Sequence, residues 1–168
     1  YWPLFTARST RRRCHPSGAT PRKFMRRWPR ISSRFAACSP THNICPNSTS
    51  FELWANTTYE RLIPQLAQRK AEGFVRECHG DIYLDNVTLV DGEVTLFDCI
   101  EFNDAFRWID VMSDVAFMAM DLEDRGLPAL SRRFVNAYLE QSGDYTGLAL
   151  LNYYKAYRAM VRAKVALL

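Results

Sequence analysis

The sequence predicts an α+β fold in which helices dominate and a single short β-hairpin lies between them. Two runs of β-branched and apolar residues, at 87–90 and 93–97, flank Asp91 and Gly92. Asp-Gly between such runs is the strongest short-range hairpin signal, because a type I′ turn needs positive φ at both central positions. Apolar residues at helical spacing before and after the hairpin predict the helices.

The first 51 residues differ in composition from the rest of the chain. They contain nine Arg, one Lys and no acidic residue, a net charge of +10, whereas residues 52–168 carry a net charge of −6. Six of the eight prolines fall before residue 47, and neither a helical nor a strand period persists there. We therefore expect an irregular, basic segment at 1–51 and a folded domain at 52–168.

Four interpretations of the basic segment stay open. It is a nucleic-acid-binding arm of interleaved Arg and aromatic residues, or a transit peptide, against which its prolines argue because they deny amphipathy. A zinc site at Cys38, His42 and Cys45 lacks a clear fourth ligand. The interpretation that we favour is a disordered or non-native segment. An acid-free mixture of Arg, Pro, Ser, Cys and Trp that changes character abruptly is what translation in a shifted reading frame gives. The start at Tyr1 rather than Met separately favours an incomplete or processed chain.

The folded part opens with a predicted helix at 59–72, followed by a short strand at 74–78. Side-chain oxygens at residues 56–58 offer an N-cap, and Gly73 offers a C-cap. Pro64 is expected close to the first turn or at a kink. The residues expected to face the core are Leu62, Ile63 and Leu66.

Oxygen-bearing side chains gather at one end of the predicted hairpin. Asn86 stands at its entrance, Asp98 at its exit, and Asp81 just ahead of it. Both ends of a hairpin lie on the same side, so these side chains are expected to converge. Mg²⁺ prefers carboxylate and amide oxygens and shares its coordination shell with phosphates, so the sequence predicts a magnesium–phosphate site here.

The same stretch resembles the catalytic segment of the aminoglycoside phosphotransferase family, whose members share the protein-kinase-like fold. The pattern H-G-D-x-x-x-x-N is matched by His79, Gly80, Asp81 and Asn86, and Asp98 follows after a hairpin. The resemblance implies that Asp81 accepts the proton of the substrate hydroxyl, while Asn86 and Asp98 hold Mg²⁺ on the phosphates of ATP. It covers about residues 52–168 and implies the mostly helical large lobe of that fold, with the hairpin carrying the catalytic site.

Supporting roles follow from the same resemblance. His79 has two interpretations: a catalytic group that titrates near neutrality, or, as the resemblance implies, a structural residue that braces the loop through hydrogen bonds. We favour the structural role because Asp rather than His is the base in phosphoryl transfer. Gly80 permits a close backbone approach. Asp114 is implied to bond the catalytic-loop backbone, again a structural role.

Two positions depart from the usual family pattern, and a third acidic residue lies nearby. Position 83, often His, is Tyr83, and position 85, usually small, is Asp85. A carboxylate at Asp85 would repel phosphate or bind amines of a substrate. Glu101 is a further candidate metal or substrate ligand, although exposed loop carboxylates are usually only solvated.

Three helices are predicted after Asp98. The first begins at 113–114 behind a capping or bracing Asp110 and is apolar almost all round, so it is central. The second spans 129–141 and ends at Gly143, and the third opens at 145–146. The inward residues of the last two are Phe134, Val135, Tyr138, Leu139, Tyr153, Tyr154, Tyr157, Met160, Val161 and Val165. The basic residues of the third, Lys155, Arg158, Arg162 and Lys164, are expected to form a solvated face.

The run from Phe97 to Asp110 most resembles a bacterial subgroup in which a phosphotransferase-like domain precedes a P-loop ATPase domain on one chain. A Gly-rich phosphate loop and a strand lysine paired with a helix glutamate are missing before residue 79. We therefore expect a fragment of the parent domain, truncated at both ends, and whether that fragment is active alone stays open.

The leading function is transfer of the ATP γ-phosphoryl group to a hydroxyl of a small molecule. A non-catalytic kinase-like binding module and a basic-arm nucleic-acid binder are the alternatives, the latter resting on residues 8–34. No run of 18 apolar residues is present, so no membrane partner is expected. Five irregularly spaced cysteines favour a reducing cytoplasm, with Cys78 and Cys99 expected as buried hydrophobes in strands.

Overall fold

The computed structural model describes residues 48–166, and all interpretations of residues 1–47 lie outside this range. Within it, a mostly helical chain carries two small antiparallel sheets. The helices are α1 (Ser48–Ala71), α2 (Asp104–Arg107), α3 (Val111–Asp124), α4 (Pro128–Ser142) and α5 (Leu148–Val165). The strands are β1 (Val75–Glu77), β2 (Val87–Val90), β3 (Glu93–Leu96) and β4 (Trp108–Asp110). No helix of the described part is both long and apolar enough to cross a bilayer.

Helix α1 is longer than predicted, and its expected N-cap at residues 56–58 is wrong because those residues lie inside the helix. The additional turns are held by contact with α5. Ala55 is fully buried against Tyr157, with Phe51 packed beside them. Periodicity along α1 alone cannot show such a contact between distant segments.

The core face of α1 is largely as predicted. Leu62 and Leu66 are buried, but Ile63 is 42% exposed, so its inward assignment is wrong. Pro64 lies in the helix interior rather than in its first turn. The helix ends before Gly73, whose φ of 83° is the left-handed conformation expected of a C-terminal glycine.

Strand β1 is one residue shorter at each end than the strand predicted at 74–78. Its partner β4 was not predicted. The two pair antiparallel, with Val75 opposite Asp110 and Glu77 opposite Trp108. Three residues are too few to show a strand period, so β4 gave no signal of its own. This sheet places the start of the candidate catalytic loop next to the start of α3.

The predicted hairpin is confirmed. Strands β2 and β3 pair with Val87 opposite Leu96 and Val90 opposite Glu93. Asp91 and Gly92 have φ values of 52° and 82°, the sign that a type I′ turn requires at both positions. Local turn chemistry was therefore sufficient to identify this element.

Helix α3 is the central helix, as predicted, but begins at Val111 rather than at 113–114. Asp110 is its N-cap, and its Oδ1 accepts from the Met112 amide at 2.9 Å. Almost every side chain from Met112 to Leu122 is buried. The helix packs against both α4 and α5, so residues that it directs at the catalytic loop are held rigidly.

Helices α4 and α5 follow the predicted pattern with two corrections. The four inward residues of α4 are buried, and Gly143 ends the helix with a φ of 70°. A 3₁₀ turn at Tyr145–Gly147 precedes α5, which begins at Leu148. On α5 the three inward tyrosines are buried, but Val165 is 64% exposed, so its inward assignment is wrong.

Arg69 forms a buried ionic cluster that sequence patterns did not indicate. Its guanidinium is 1% exposed and donates to both oxygens of Asp110, at 2.7 and 2.8 Å, and to both oxygens of Asp144, at 2.5 and 2.8 Å. The Tyr138 hydroxyl donates to Asp144 at 2.9 Å. Gly147 lies so close that a Cβ there would be 3.1 Å from Arg69 Nη1. The cluster ties α1, α3 and the start of α5 together.

The free energy of unfolding is expected to fall in acid through Asp144. Burial favours a raised pKa, but hydrogen bonds from Arg69 and Tyr138 hold the pKa of Asp144 below its ordinary value of 3.8. A depressed folded-state pKa gives stabilisation that is complete above the unfolded-state pKa and lost as pH falls through the folded-state pKa. Asp144→Asn should cost about 1–3 kcal/mol at neutral pH and flatten the acid dependence. Urea unfolding from neutral pH to below about pH 3 measures both, and parallel pH curves for the two proteins would contradict the assignment.

Candidate active site

Gly80 gives the candidate catalytic loop its backbone path. Its φ is 87°, and a Cβ there would lie 2.9 Å from the Phe106 carbonyl oxygen and 3.2 Å from the Ile100 side chain. Both the positive φ and the close backbone contact exclude larger residues. The loop is thereby pressed against the segment that follows Asp98.

His79 connects this loop to the hairpin. Its Nδ1 accepts from the Asp81 amide at 3.4 Å, so its proton lies on Nε2, which donates to the Phe97 carbonyl at 2.9 Å. The Ile100 amide donates to the His79 carbonyl at 3.0 Å. With both ring nitrogens used in backbone contacts, the imidazole braces the loop.

Asp81 and Asn86 are in direct contact. Asn86 is buried, and its Nδ2 donates to the Asp81 carbonyl at 3.0 Å and to Asp81 Oδ2 at 3.3 Å. Burial raises the pKa of Asp81, while the charge of Arg158 and the hydrogen bond from Asn86 oppose the rise. A carboxylate of raised pKa is a better proton acceptor than an ordinary exposed aspartate.

Asp98 follows β3 at the exit of the hairpin. It is exposed and has a φ of 58°, a conformation that Asp tolerates better than most residues. The Phe97 amide donates to the Asn86 carbonyl at 3.1 Å, which joins the two hairpin ends. Asp98 directly follows Phe97 and therefore lies at the same end of the hairpin as Asn86. Its negative charge contributes to the raised pKa of Asp81.

The chemistry of this group suits a hard cation. Residues 48–166 contain no cluster of three or more His, Cys, Asp or Glu side chains placed to hold a metal ion. The predicted pair instead combines one amide with one carboxylate. Because Asn86 Nδ2 faces Asp81, the amide would offer its oxygen to a cation. Mg²⁺ is commonly held by one or two such protein oxygens together with phosphate oxygens and water.

Asp114 contacts the loop backbone from α3. It is buried, and its Oδ2 accepts from the Gly80 amide at 3.1 Å. Its other oxygen accepts from Arg158 Nη2 at 3.3 Å. Arg158 is itself buried, so its assignment to a solvated basic face is wrong, because charge periodicity does not reveal buried carboxylates on a neighbouring helix.

Asp121 is a second contact between α3 and the loop, and sequence reasoning missed it. It is fully buried, and it accepts from the Leu84 amide at 2.9 Å and from Arg125 Nε at 3.1 Å. Arg162 donates to its other oxygen. The signal that was available is a single carboxylate within the otherwise apolar run 115–122, since a buried charge must be paired.

The two departures from the family pattern are both accommodated. Asp85 is 60% exposed in its side chain and pairs with Arg125 at 2.6 Å, which offsets its negative charge. Tyr83 stacks on Phe117 with ring centroids 5.5 Å apart. Burial, followed by the charges of Asp81 and Asp85, raises the pKa of Tyr83.

The remaining candidates contribute less to the geometry. Glu101 is exposed and accepts a weak contact from the Cys99 thiol at 3.9 Å. Cys99 is exposed and outside any strand, so its prediction as a buried strand residue is wrong. Cys78 directly follows β1 rather than lying in it and is half-buried, so its prediction is wrong as well. Burial raises the pKa of Cys78.

Comparison with known proteins gives one family and three relatives. The model of the phosphotransferase enzyme family matches residues 12–151, which includes much of the basic segment. The uncharacterized protein Rv2004c of Mycobacterium tuberculosis and the uncharacterized protein Mb2027c of Mycobacterium bovis are each 46% identical to this chain over 99 residues. That match covers 59% of this chain and 20% of each relative, so it spans about one fifth of the relatives' length. No solved structure matches the chain.

Proposed function

Since this chain belongs to the phosphotransferase enzyme family, we propose that its parent protein transfers the γ-phosphoryl group of ATP to a hydroxyl of a small molecule. The observation that carries the proposal is the contact of Asn86 with Asp81 inside a loop braced by His79. Phosphoryl transfer depends on positioning and charge neutralisation more than on covalent chemistry. A rigid group of oxygen ligands beside a carboxylate meets that need.

Each residue has a distinct proposed role. Asp81 orients the substrate hydroxyl and accepts its proton late in the reaction. Asn86 and Asp98 would hold Mg²⁺, which supplies neutralisation of the phosphate charge when it is bound. His79 and Asp114 hold the loop backbone and take no part in the chemistry. Glu101, which is exposed, is left as a candidate for substrate contact.

A non-catalytic binding module is the second candidate. Its support was the carboxylate of Asp85, expected to repel phosphate, together with the missing Gly-rich loop and lysine–glutamate pair before residue 79. The ion pair of Asp85 with Arg125 offsets the charge and removes the first of these two grounds, so we keep nucleotide binding as the leading proposal. We also propose a P-loop ATPase domain elsewhere in the full-length parent. The much greater length of the mycobacterial relatives is compatible with one.

Asp98→Asn is expected to weaken binding of Mg-ATP by at least about tenfold, because the substitution removes the negative charge of a metal ligand. Asn also tolerates the φ of 58° at this position, so the fold is not strained. Titration calorimetry of the full chain with ATP, with and without Mg²⁺, measures the effect.

Asp91→Asn is the matched control. Asp91 also has a positive φ, of 52°, but lies at the turn end of the hairpin, away from Asn86. It should leave nucleotide affinity unchanged. Two results would contradict the magnesium assignment. One is an equal affinity for ATP in wild type, Asp98→Asn and Asp91→Asn, and the other is an affinity for ATP that does not depend on Mg²⁺.

A further inference from the structure

We propose that α5 holds the candidate catalytic loop in its active shape through Arg158 and Arg162, which act as positioning residues for Asp81. The catalytic consequence rests on the proposed function. The anchoring of the loop is a property of the chain itself and can be tested separately.

The first anchor fixes both polar groups of the Gly80 backbone. Arg158 Nη1 donates to the Gly80 carbonyl at 2.9 Å, and the Gly80 amide donates to Asp114 at 3.1 Å. Arg158 also donates to Asp114 at 3.3 Å and to Ser113 Oγ at 3.1 Å. One buried arginine–carboxylate pair therefore holds the residue immediately before Asp81 from both sides.

The second anchor lies on the other side of Asp81. The Leu84 amide donates to Asp121 at 2.9 Å, and Arg162 of α5 donates to the second oxygen of that carboxylate. Asp121 is fully buried, so its charge has to be compensated by the arginines that reach it. Arg125 is the other arginine and also belongs to this contact.

The spacing of the two aspartates and the two arginines places both anchors at the same contact between α3 and α5. Asp114 and Asp121 are seven residues apart on α3, and Arg158 and Arg162 are four apart on α5. Both spacings place side chains on the same face of a helix. Two adjacent helices thus present two carboxylate–arginine pairs to the two ends of the segment that contains Asp81.

Aromatic rings fill the space between the two anchors. Arg158 lies over the Phe117 ring at 4.9 Å, and Arg162 lies over the Tyr83 ring at 5.2 Å. Phe117 and Tyr83 are stacked on each other. The two stacked rings connect Arg158 to Arg162. Tyr83, which belongs to the loop that contains Asp81, is therefore part of the support.

Lysine substitutions test the proposal because they keep the positive charge of each arginine and remove its planar guanidinium group with several donors. A single ammonium cannot reproduce the contacts of Arg158 with Gly80, Asp114 and Ser113 in one fixed geometry. Arg158→Lys and Arg162→Lys are made in the full chain. The matched control is Lys155→Met, which removes the ion pair of α5 with Glu123 on α3 and leaves the loop contacts intact.

Hydrogen exchange of a peptide covering residues 79–86 gives the direct measurement. Both lysine variants should exchange about tenfold faster there, the factor that corresponds to loss of one hydrogen bond to a charged group, and Lys155→Met should not. Unchanged loop exchange in both lysine variants overturns the proposal. So does faster exchange that occurs equally in Lys155→Met or equally throughout α3, since that reports general destabilisation.

The catalytic part is measured as ADP formation from Mg-ATP, since ADP is the leaving group of the transfer, with the nucleotide dissociation constant measured in parallel. Turnover should fall about 10²-fold in Arg158→Lys, the cost of a small misplacement of a catalytic group, while nucleotide affinity stays within about twofold. If hydrogen exchange in residues 79–86 becomes faster but turnover does not fall, the positioning role is wrong. If wild type shows no Asp81-dependent turnover, the proposed function fails, and loop exchange still decides on the anchoring.

Discussion

Asp81→Asn is expected to lower turnover of the phosphotransferase by about 10²–10⁴-fold, the usual contribution of a general base, with little change in nucleotide affinity. The variant keeps the size of the side chain and an oxygen that can accept from Asn86. It removes only the ability to take a proton. An alkoxide is too basic to form freely at neutral pH, so a positioned carboxylate helps the hydroxyl attack.

Asp85→Asn is the matched control for this experiment because it changes a carboxylate in the same loop. Asp85 contacts Arg125 at the surface rather than Asn86, so its replacement should affect turnover little. Turnover, nucleotide affinity and melting temperature are measured on both variants. An Asp81→Asn protein that melts early and loses nucleotide binding in step with turnover would mean that Asp81 braces the loop and is not the base.

Arg69→Met is expected to cost about 3–5 kcal/mol of unfolding free energy, the usual result of removing one partner from a buried ion pair. Met fills a similar volume, but Asp110 and Asp144 then remain buried without a compensating charge. The guanidinium also lies over the Phe74 ring at 4.2 Å, and the substitution removes this cation–π interaction as well. Urea denaturation at neutral pH measures the change.

Arg61→Met is the control, since Arg61 is an exposed arginine of the same helix. It should change the free energy of unfolding by less than about 0.5 kcal/mol. Adding Asp144→Asn to Arg69→Met should recover part of the stability, because it removes one of the uncompensated charges. Equal stability of Arg69→Met and Arg61→Met would show that the buried cluster contributes nothing net to folding.

Local signals in the sequence were sufficient for some elements and not for others. The hairpin was predictable because Asp91 and Gly92 by themselves favour the type I′ turn that joins two strands. The N-terminal turns of α1 were not, because their stability comes from packing of Ala55 on Tyr157. The family motif identified His79, Asp81 and Asn86 as neighbours, and the loop brings them together.

Buried charge was the part of the site that pattern reasoning could not place. Arg158 and Arg162 recur at a spacing that also describes a solvated helix face, and only tertiary structure shows the carboxylates that they meet. Arg69 looks like any arginine near a helix end. Asp114 was implied by the family resemblance, and Asp121 carried a usable signal as the single acid within the apolar run 115–122.

The bridge made by His79 means that the two halves of the candidate site cannot move independently. Its ring holds the Asp81 amide on one side and the Phe97 carbonyl, one residue before Asp98, on the other. If Asn86 and Asp98 hold a cation as proposed, this one imidazole would set the position of the proposed base relative to the cation's ligands.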